Sequence, residues 1–161
     1  MTQYEKSAAT LELPAILAML ARHAVSDAAK ERALAVSPST DAATVKRLLA
    51  ETSAARGMMV KRGGPSFSGV KDVGASLSRA DMGGCLNIRE LMDIAGVLGA
   101  ARQARSYAAG DGRGNEKTCI DGLFNSLITN RFLEDKITGS IAGEDELADA
   151  ASPELASIRR L

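Results

Sequence analysis

The chain has 161 residues, and its 20 basic and 20 acidic side chains give a formal net charge of zero. It is 45% hydrophobic but only 3% aromatic, an apolar content that is typical of a globular domain and excludes a disordered tail. No apolar run approaches the roughly 18 residues of a membrane span, and the N-terminal residues lack a basic-then-apolar signal pattern, so we expect a cytoplasmic protein with no membrane partner.

The chain begins with apolar residues at helical spacing. Pro14 suits the first turn of a helix. The inward face of this helix is predicted to carry Ile16, Leu17, Leu20 and Ala21. Ser26 and Asp27 then form a capping pair, which predicts a second helix that continues to Leu34.

A third, longer helix follows the break at Pro38, and Thr40 is its predicted cap. The apolar stripe of this helix is predicted to contain Val45, Leu48, Leu49, Thr52 and Ala55. The glycine-rich and proline-containing residues 63–69 end the helix and predict an exposed loop.

The middle of the chain carries the clearest helical signal. A short helix is predicted at residues 73–79, and Asn87 caps a long one that reaches about residue 109. Its inward residues are predicted to be Ile88, Leu91, Met92, Ala95 and Leu98. Gly96 and Gly99 weaken this helix, so they mark either a close contact with another helix or a tolerated defect.

The last third predicts a flexible loop at residues 110–116 and two shorter helices at 120–128 and 132–141. No stretch alternates between apolar and polar residues, so we expect an all-α, multi-helix fold. Ser152 and Pro153 then form a strong helix start, although only a few residues follow it. This C-terminal helix is interpreted either as a frayed end or as the start of a long helix that continues in a longer protein.

The chemistry-bearing residues do not form a recognisable catalytic or metal motif. Cys85 and Cys119 lie 34 positions apart and are predicted to be reduced, buried thiols. His23 is the single histidine, so a zinc site of cysteine and histidine ligands is excluded. The acidic run at residues 144–146 favours a solvated loop or a helix N-terminus over a metal site. Glu116 stands where a phosphate-binding loop needs glycine, so we expect no nucleotide site and no cofactor within this chain.

The charges are unevenly distributed. Residues 56–113 carry nine basic and five acidic side chains, a net of +4, whereas residues 114–161 carry five basic and nine acidic ones, a net of −4. The basic middle predicts contacts with nucleic-acid phosphates, for which the candidate residues are Arg56, Lys61, Arg62, Lys71 and Arg79. The alternative is an ordinary distribution of charges on helix surfaces.

Several separate motifs resemble the N-terminal region of a family of bacterial MutS paralogues whose full-length members carry a C-terminal Smr nuclease domain. The motifs are residues 11–17 (LELPAIL), 26–30 with 38–41, 49–56 (LAETSAAR), 69–73, 83–91 and 149–160 (DAASPELASIRR). The last motif is the most specific, and in the family it enters a long lever helix. The resemblance implies a helical core domain over residues 1–148 and the truncated start of the lever over residues 149–161.

The resemblance also implies a function. Members of the family hydrolyse ATP with Mg²⁺, dimerise and cleave nucleic acid, and every catalytic residue of these activities is expected beyond Leu161. The family is associated with binding branched or mismatched DNA, suppressing homologous recombination and splitting collided ribosomes through ribosomal RNA. We therefore expect a non-catalytic part of a homodimeric protein that binds DNA or ribosomal RNA. The alternative is a helical protein-interaction or dimerisation module with no direct nucleic-acid role.

Overall fold

The computed structural model describes residues 3–110 and 117–160 of the chain. These residues are predominantly helical and include one short hairpin, which confirms the predicted all-α class. The helices are α1 (Gln3–Thr10), α2 (Leu13–Ala21), α3 (Asp27–Leu34), α4 (Ala42–Arg62), α5 (Gly74–Asp81), α6 (Ile88–Ala109), α7 (Asp121–Asn125), α8 (Arg131–Ser140) and α9 (Pro153–Ile158). The antiparallel hairpin pairs β1 (Ile141–Gly143) with β2 (Glu146–Leu147). Within the described ranges, no helix is long and apolar enough to cross a lipid bilayer.

The chain divides into two compact units, Met1–Arg47 and Leu48–Leu161. Helix α4 begins in the first unit and ends in the second. The predicted domain boundary between residues 148 and 149 stays a prediction. The helix that follows it, α9, is only six residues long.

Local capping signals set where several helices begin. The Ser26 hydroxyl accepts a hydrogen bond from the amide of Ala29 at 3.3 Å, which confirms the predicted start of α3. The predicted cap of α4 at Thr40 is wrong by one position. The Asp41 carboxylate accepts hydrogen bonds from the amides of Ala43 and Thr44, at 3.2 and 3.0 Å. A carboxylate suits this position because the N-terminal end of a helix carries a partial positive charge.

The first unit lacks a buried core. Helix α2 packs against α3 and α1, yet no described residue of this unit is buried. The predicted inward face of α2 is therefore wrong in part, because Ile16 and Leu20 are exposed while Leu17 and Ala21 are half-buried. Two helices of eight residues, α1 and α3, are too short to enclose α2. Helix α1, which the sequence patterns did not predict, adds to the same small unit.

The core of the second unit lies where α8 and α7 pack against α6. Its buried residues on α6 are small: Ala95, Gly99, Ala100 and Ala104. The larger buried side chains of this unit are Met58, Ile120 and Ile137. In α4, Met58 is buried, whereas Leu48 and Leu49 are exposed. The predicted apolar stripe is therefore wrong at these two leucines.

Asn87 caps α6 as predicted, and the cap is reciprocal. The Asn87 side chain accepts a hydrogen bond from the amide of Glu90, and the Glu90 carboxylate accepts one from the amide of Asn87, both at 2.9 Å. This arrangement is a capping box, which satisfies two backbone donors at the start of the helix.

Both glycines of α6 lie at close contacts. The predicted helix contact is confirmed for Gly99, which faces α8, whereas Gly96 contacts a loop. A Cβ atom on Gly96 would lie 3.0 Å from the carbonyl oxygen of Gly69, and one on Gly99 would lie 3.1 Å from the Glu134 carboxylate. Gly69 itself has a φ of +87°, a conformation that favours glycine. The loop that contains Gly69 therefore packs backbone to backbone against α6.

The last third contains more irregular structure than the sequence predicts. Helix α7 is shorter than the predicted range 120–128, and the unpredicted hairpin follows α8. Its turn carries Glu144 and Asp145 as exposed side chains, which agrees with the solvated loop preferred for the acidic run. The Ser152 hydroxyl caps α9 as predicted, accepting a hydrogen bond from the amide of Leu155 at 3.1 Å. Most of the predicted loop at 110–116 lies outside the described residues.

The prediction that both cysteines are buried is wrong. Cys85 and Cys119 are free thiols with exposed side chains. Cys85 lies in the connection before α6, and Cys119 lies in the turn before α7. Neither position is on the inward face of a helix, so neither thiol reaches a core.

Candidate nucleic-acid interface

All five basic residues predicted to contact phosphate are exposed and belong to the second unit. Arg56, Lys61 and Arg62 lie on α4, Lys71 lies in the connection before α5, and Arg79 lies on α5. The structure places them in two groups, because α5 and the connection before it are bound to α6 by ion pairs.

The first group consists of Lys71 and Arg79, which form ion pairs with acidic residues of α6. The Lys71 ammonium donates a hydrogen bond to the Asp93 carboxylate at 2.5 Å, and the Arg79 guanidinium donates one to Glu90. Glu90 and Asp93 are three positions apart and share one face of the helix. The two cations therefore lie near each other along the first turns of α6, and their charges are largely balanced.

The second group consists of the three candidate residues on α4 (Arg56, Lys61 and Arg62). Arg62 donates hydrogen bonds to the carbonyl oxygens of Tyr107 and Ala108, at 2.8 and 2.9 Å, where α6 ends. A cation at a helix C-terminus is favourable because the last carbonyl groups carry a partial negative charge. In return, the Tyr107 hydroxyl donates a hydrogen bond to the carbonyl oxygen of Gly63 at 2.8 Å. Arg62 is thus part of a two-way link between the ends of α4 and α6.

Arg56 and Lys61 are the other two basic residues of the second group. They are separated by five positions, which places their side chains about 140° apart around α4. Arg56 forms no ion pair within the described ranges, and both side chains are exposed.

A cleft of about 600 Å³ lies between the first half of α6 and the hairpin turn. Basic side chains (Lys71 and Arg89) and acidic side chains (Asp93, Glu144 and Asp145) line it together. Because charges of both signs are present, this cleft does not select a phosphate group. Within the described ranges, no three histidine, cysteine or acidic side chains are grouped closely enough to hold a metal ion.

Sequence patterns missed the polar contact that joins α6 to α8. The Arg102 guanidinium donates two hydrogen bonds to the Glu134 carboxylate, at 2.7 and 3.0 Å. The Glu134 side chain is only 13% exposed, and it lies against Gly99. The hydrogen bonds from Arg102 lower the pKa of Glu134. Since the partners are 32 positions apart, no local sequence signal indicates this pair.

Acid should weaken the fold through Glu134. Its pKa in the folded chain lies below its ordinary value, which is about 4.3 in an unfolded chain. The stabilisation is therefore fully present above pH 4.3 and is lost as the pH falls through the lower, folded pKa. Urea unfolding between pH 6 and pH 3 should show a steeper loss of stability in the wild type than in Glu134→Gln. Equal slopes for the two proteins would contradict this contribution.

Comparison with known proteins gives one consistent result. No protein-family model matches the chain. The chain is 40% identical to an "Endonuclease MutS2" of Ruminiclostridium cellulolyticum over 97% of its own residues and 20% of that protein. It is 41% identical to the corresponding protein of Acetivibrio thermocellus, again over 97% of its own residues and 20% of the relative. A third protein of the same name, from Clostridium perfringens, is 35% identical over 93% of the chain. The chain spans about a fifth of the length of the curated relatives that it matches.

Proposed function

We propose that the chain, as a member of the MutS2 family, forms a non-catalytic helical core within a longer polypeptide. It spans about a fifth of the length of the relatives that it matches. This core connects a nucleic-acid-binding surface to ATP-hydrolysing and endonuclease parts elsewhere in that polypeptide. The nucleic acid is branched or mismatched DNA, whose binding suppresses recombination, or ribosomal RNA of collided ribosomes. The single observation that carries the proposal is the identity of 40–41% across nearly the whole chain.

The proposal has consequences for cofactors and assembly. ATP and Mg²⁺ bind outside these 161 residues, and the longer protein acts as a cytoplasmic homodimer. ATP binding reorganises that dimer, and helical elements of the core transmit the movement. An ATPase activity of the 161-residue chain that a substitution within it abolishes would contradict this division of labour.

Phosphate contacts in this proposal come first from Arg56 and Lys61. The side chains of both residues are exposed on α4. Lys71 and Arg79 form ion pairs with Asp93 and Glu90. Arg62 adds positive charge at the same end of α4, although it also holds the end of α6. The chain has no net charge, so we expect it to bind weakly and to depend strongly on salt.

Binding to a DNA four-way junction and to a structured RNA should reveal this surface. In fluorescence anisotropy titrations, affinity should fall as salt rises, with a logarithmic slope of about −0.9 for each duplex phosphate contacted. The double substitution Arg56→Ala with Lys61→Ala should lower the magnitude of that slope by about 1–2, because two phosphate contacts are lost. The matched control is the double substitution Lys117→Ala with Lys136→Ala, which removes two exposed cations from the acidic third of the chain.

An equal loss in the control would show that total charge, rather than the surface on α4, determines binding. Absence of binding to both nucleic acids, by the chain and by a full-length relative, would favour the alternative of a protein-interaction module. One observation favours that alternative: large apolar side chains are exposed on both units, among them Met19, Leu49 and Phe132.

A further inference from the structure

Helix α5 is attached to α6 through polar side chains. Seven of its eight residues are exposed, and the eighth, Ser76, is half-buried. Its leucine, Leu77, is 51% exposed and does not reach the core of the second unit. Ser76 and Arg79 both donate hydrogen bonds to the Glu90 carboxylate, that of Ser76 at 3.3 Å. This short helix is therefore bound to α6 by charge and hydrogen bonds, without a buried apolar face.

The cations of the ion pairs with α6 are more accessible than the carboxylates. The side chains of Lys71 and Arg79 are 59% and 46% exposed, whereas those of Asp93 and Glu90 are 27% and 20% exposed. An anion in the solvent can therefore approach both cations while α5 stays in place. An ion pair at the surface shifts an equilibrium by no more than about fivefold, so an exchange of its anion costs little.

The exchange also leaves each carboxylate with a polar environment. When Arg79 is released, Glu90 still accepts hydrogen bonds from the Asn87 amide at 2.9 Å and from the Ser76 hydroxyl. The Asp93 side chain is partly exposed, so water can solvate it. The large cost of breaking an ion pair arises when a buried charge is left without a partner, and neither carboxylate reaches that state.

The positions of the two carboxylates resemble a short stretch of a polyanion. Glu90 and Asp93 are three positions apart on α6, which places their Cβ atoms about 5–6 Å from each other. Phosphate oxygens accept the same charge-assisted hydrogen bonds from lysine and arginine as carboxylate oxygens do. A nucleic acid has the further advantage that its condensed counterions are released when cations bind its phosphates.

We propose that Glu90 and Asp93 compete with phosphate groups for Arg79 and Lys71, so that these two candidate ligands are masked in the free chain. Binding of a nucleic acid exchanges each carboxylate for a phosphate, while Glu90 keeps its place in the cap of α6. The inference rests on the nucleic-acid binding of the proposed function and adds an internal control of its affinity.

Neutral substitutions of the two carboxylates test this competition. Glu90→Gln with Asp93→Asn removes both competing charges, and glutamine can still complete the capping box at the start of α6. Affinity for a DNA four-way junction in about 100 mM salt should rise at least about threefold, because two ion pairs no longer have to break. Fluorescence anisotropy measures this affinity. Isothermal titration calorimetry with inorganic tripolyphosphate repeats the comparison with phosphate alone.

The matched control removes two other negative charges from the same unit. Glu144 and Asp145 are exposed on the hairpin turn and line the same cleft as Lys71. Neither forms an ion pair with another described residue. Glu144→Gln with Asp145→Asn releases no cation, so affinity should rise by less than about twofold at this salt concentration. An equal gain in the control would overturn the proposal in favour of total charge.

Substitution of the two cations distinguishes masking from a structural role. Lys71→Ala with Arg79→Ala should lower affinity at least about threefold more in the neutralised chain than in the wild type, because only the neutralised chain has both cations free. Equal losses in the two backgrounds would overturn the proposal. Should circular dichroism show that Glu90→Gln unfolds the chain, the smaller cycle of Asp93→Asn and Lys71→Ala, which leaves the cap of α6 intact, decides in the same way.

The two probes separate this proposal from the proposed function. If tripolyphosphate gives the expected order of variants and neither the junction nor a structured RNA binds, the competition is supported and the nucleic-acid function fails. If nucleic acid binds and the substitutions act additively, the competition is overturned and the nucleic-acid function stands. Absence of binding of every probe to the neutralised chain overturns the competition.

Discussion

Replacement of Ile137 by alanine is expected to lower the free energy of unfolding of the second unit by about 2–4 kcal/mol. Ile137 is 8% exposed and lies on α8, which packs against α6. The buried residues of α6 are alanines and a glycine, so larger side chains must fill the space between the helices. Truncation of Ile137 removes apolar surface from the core and leaves a cavity that alanines cannot fill.

Ile128 provides the matched control for this substitution. It is 85% exposed in the connection before α8, so Ile128→Ala should change the free energy of unfolding by less than about 0.5 kcal/mol. Urea titrations followed by circular dichroism at 222 nm measure both variants. Equal effects of the two substitutions would show that α8 does not supply the core of this unit.

The second large effect is expected at Gly96. A Cβ atom there would lie 3.0 Å from the carbonyl oxygen of Gly69, and the two branches of a valine would extend further into the loop. Gly96→Val should therefore cost about 1–3 kcal/mol, because the loop must move away from α6. The movement should also loosen the loop, so limited proteolysis at residues 63–69 should become faster.

Gly57 separates this steric effect from helix propensity. It lies within α4, and nothing stands within 4 Å of a Cβ atom at that position. Gly57→Val should change stability by less than about 0.5 kcal/mol, since valine and glycine differ little in helix propensity. A comparable loss at both positions would indicate that the close approach of Gly69 to α6 is not what makes Gly96 necessary.

The sequence predicted the helix starts best, because their signals are local. Ser26, Asn87 and Ser152 each accept a hydrogen bond from the amide three residues ahead, and the residue types alone indicate such caps. The prediction that Thr40 caps α4 was wrong because Thr40 and Asp41 are both residue types that cap helices. Which of the two forms the cap depends on how the chain enters the helix. Local chemistry therefore located the starts of these three helices to within one residue.

Burial was predicted less well, because periodicity assigns an inward face without showing what will cover it. Helix α2 has no polar face at all, so the pattern predicted burial that α1 and α3 are too short to provide. The exposed cysteines have the same cause, since a residue type that is often buried was assumed to be so in connecting segments.

The candidate interface was predicted from a surplus of positive charge. The acidic residues that pair with its basic residues could not be predicted in the same way. Lys71 and Asp93 are 22 positions apart, and Arg79 and Glu90 are 11 apart. Counting charges along the chain cannot show which basic residues are balanced across the fold. The structure shows the ion pairs of Lys71 with Asp93 and of Arg79 with Glu90, which the charge count did not predict.

The two-way link between α4 and α6 has a mechanical consequence. Arg62 donates to the carbonyl oxygens of Tyr107 and Ala108, while the Tyr107 hydroxyl donates to that of Gly63. The hydrogen bonds run in both directions, so together they close a ring between Arg62 and Tyr107, which are 45 positions apart in the sequence. A force applied to α4 is therefore transmitted to the end of α6 directly through these hydrogen bonds, and it does not have to pass along the chain between the two helix ends.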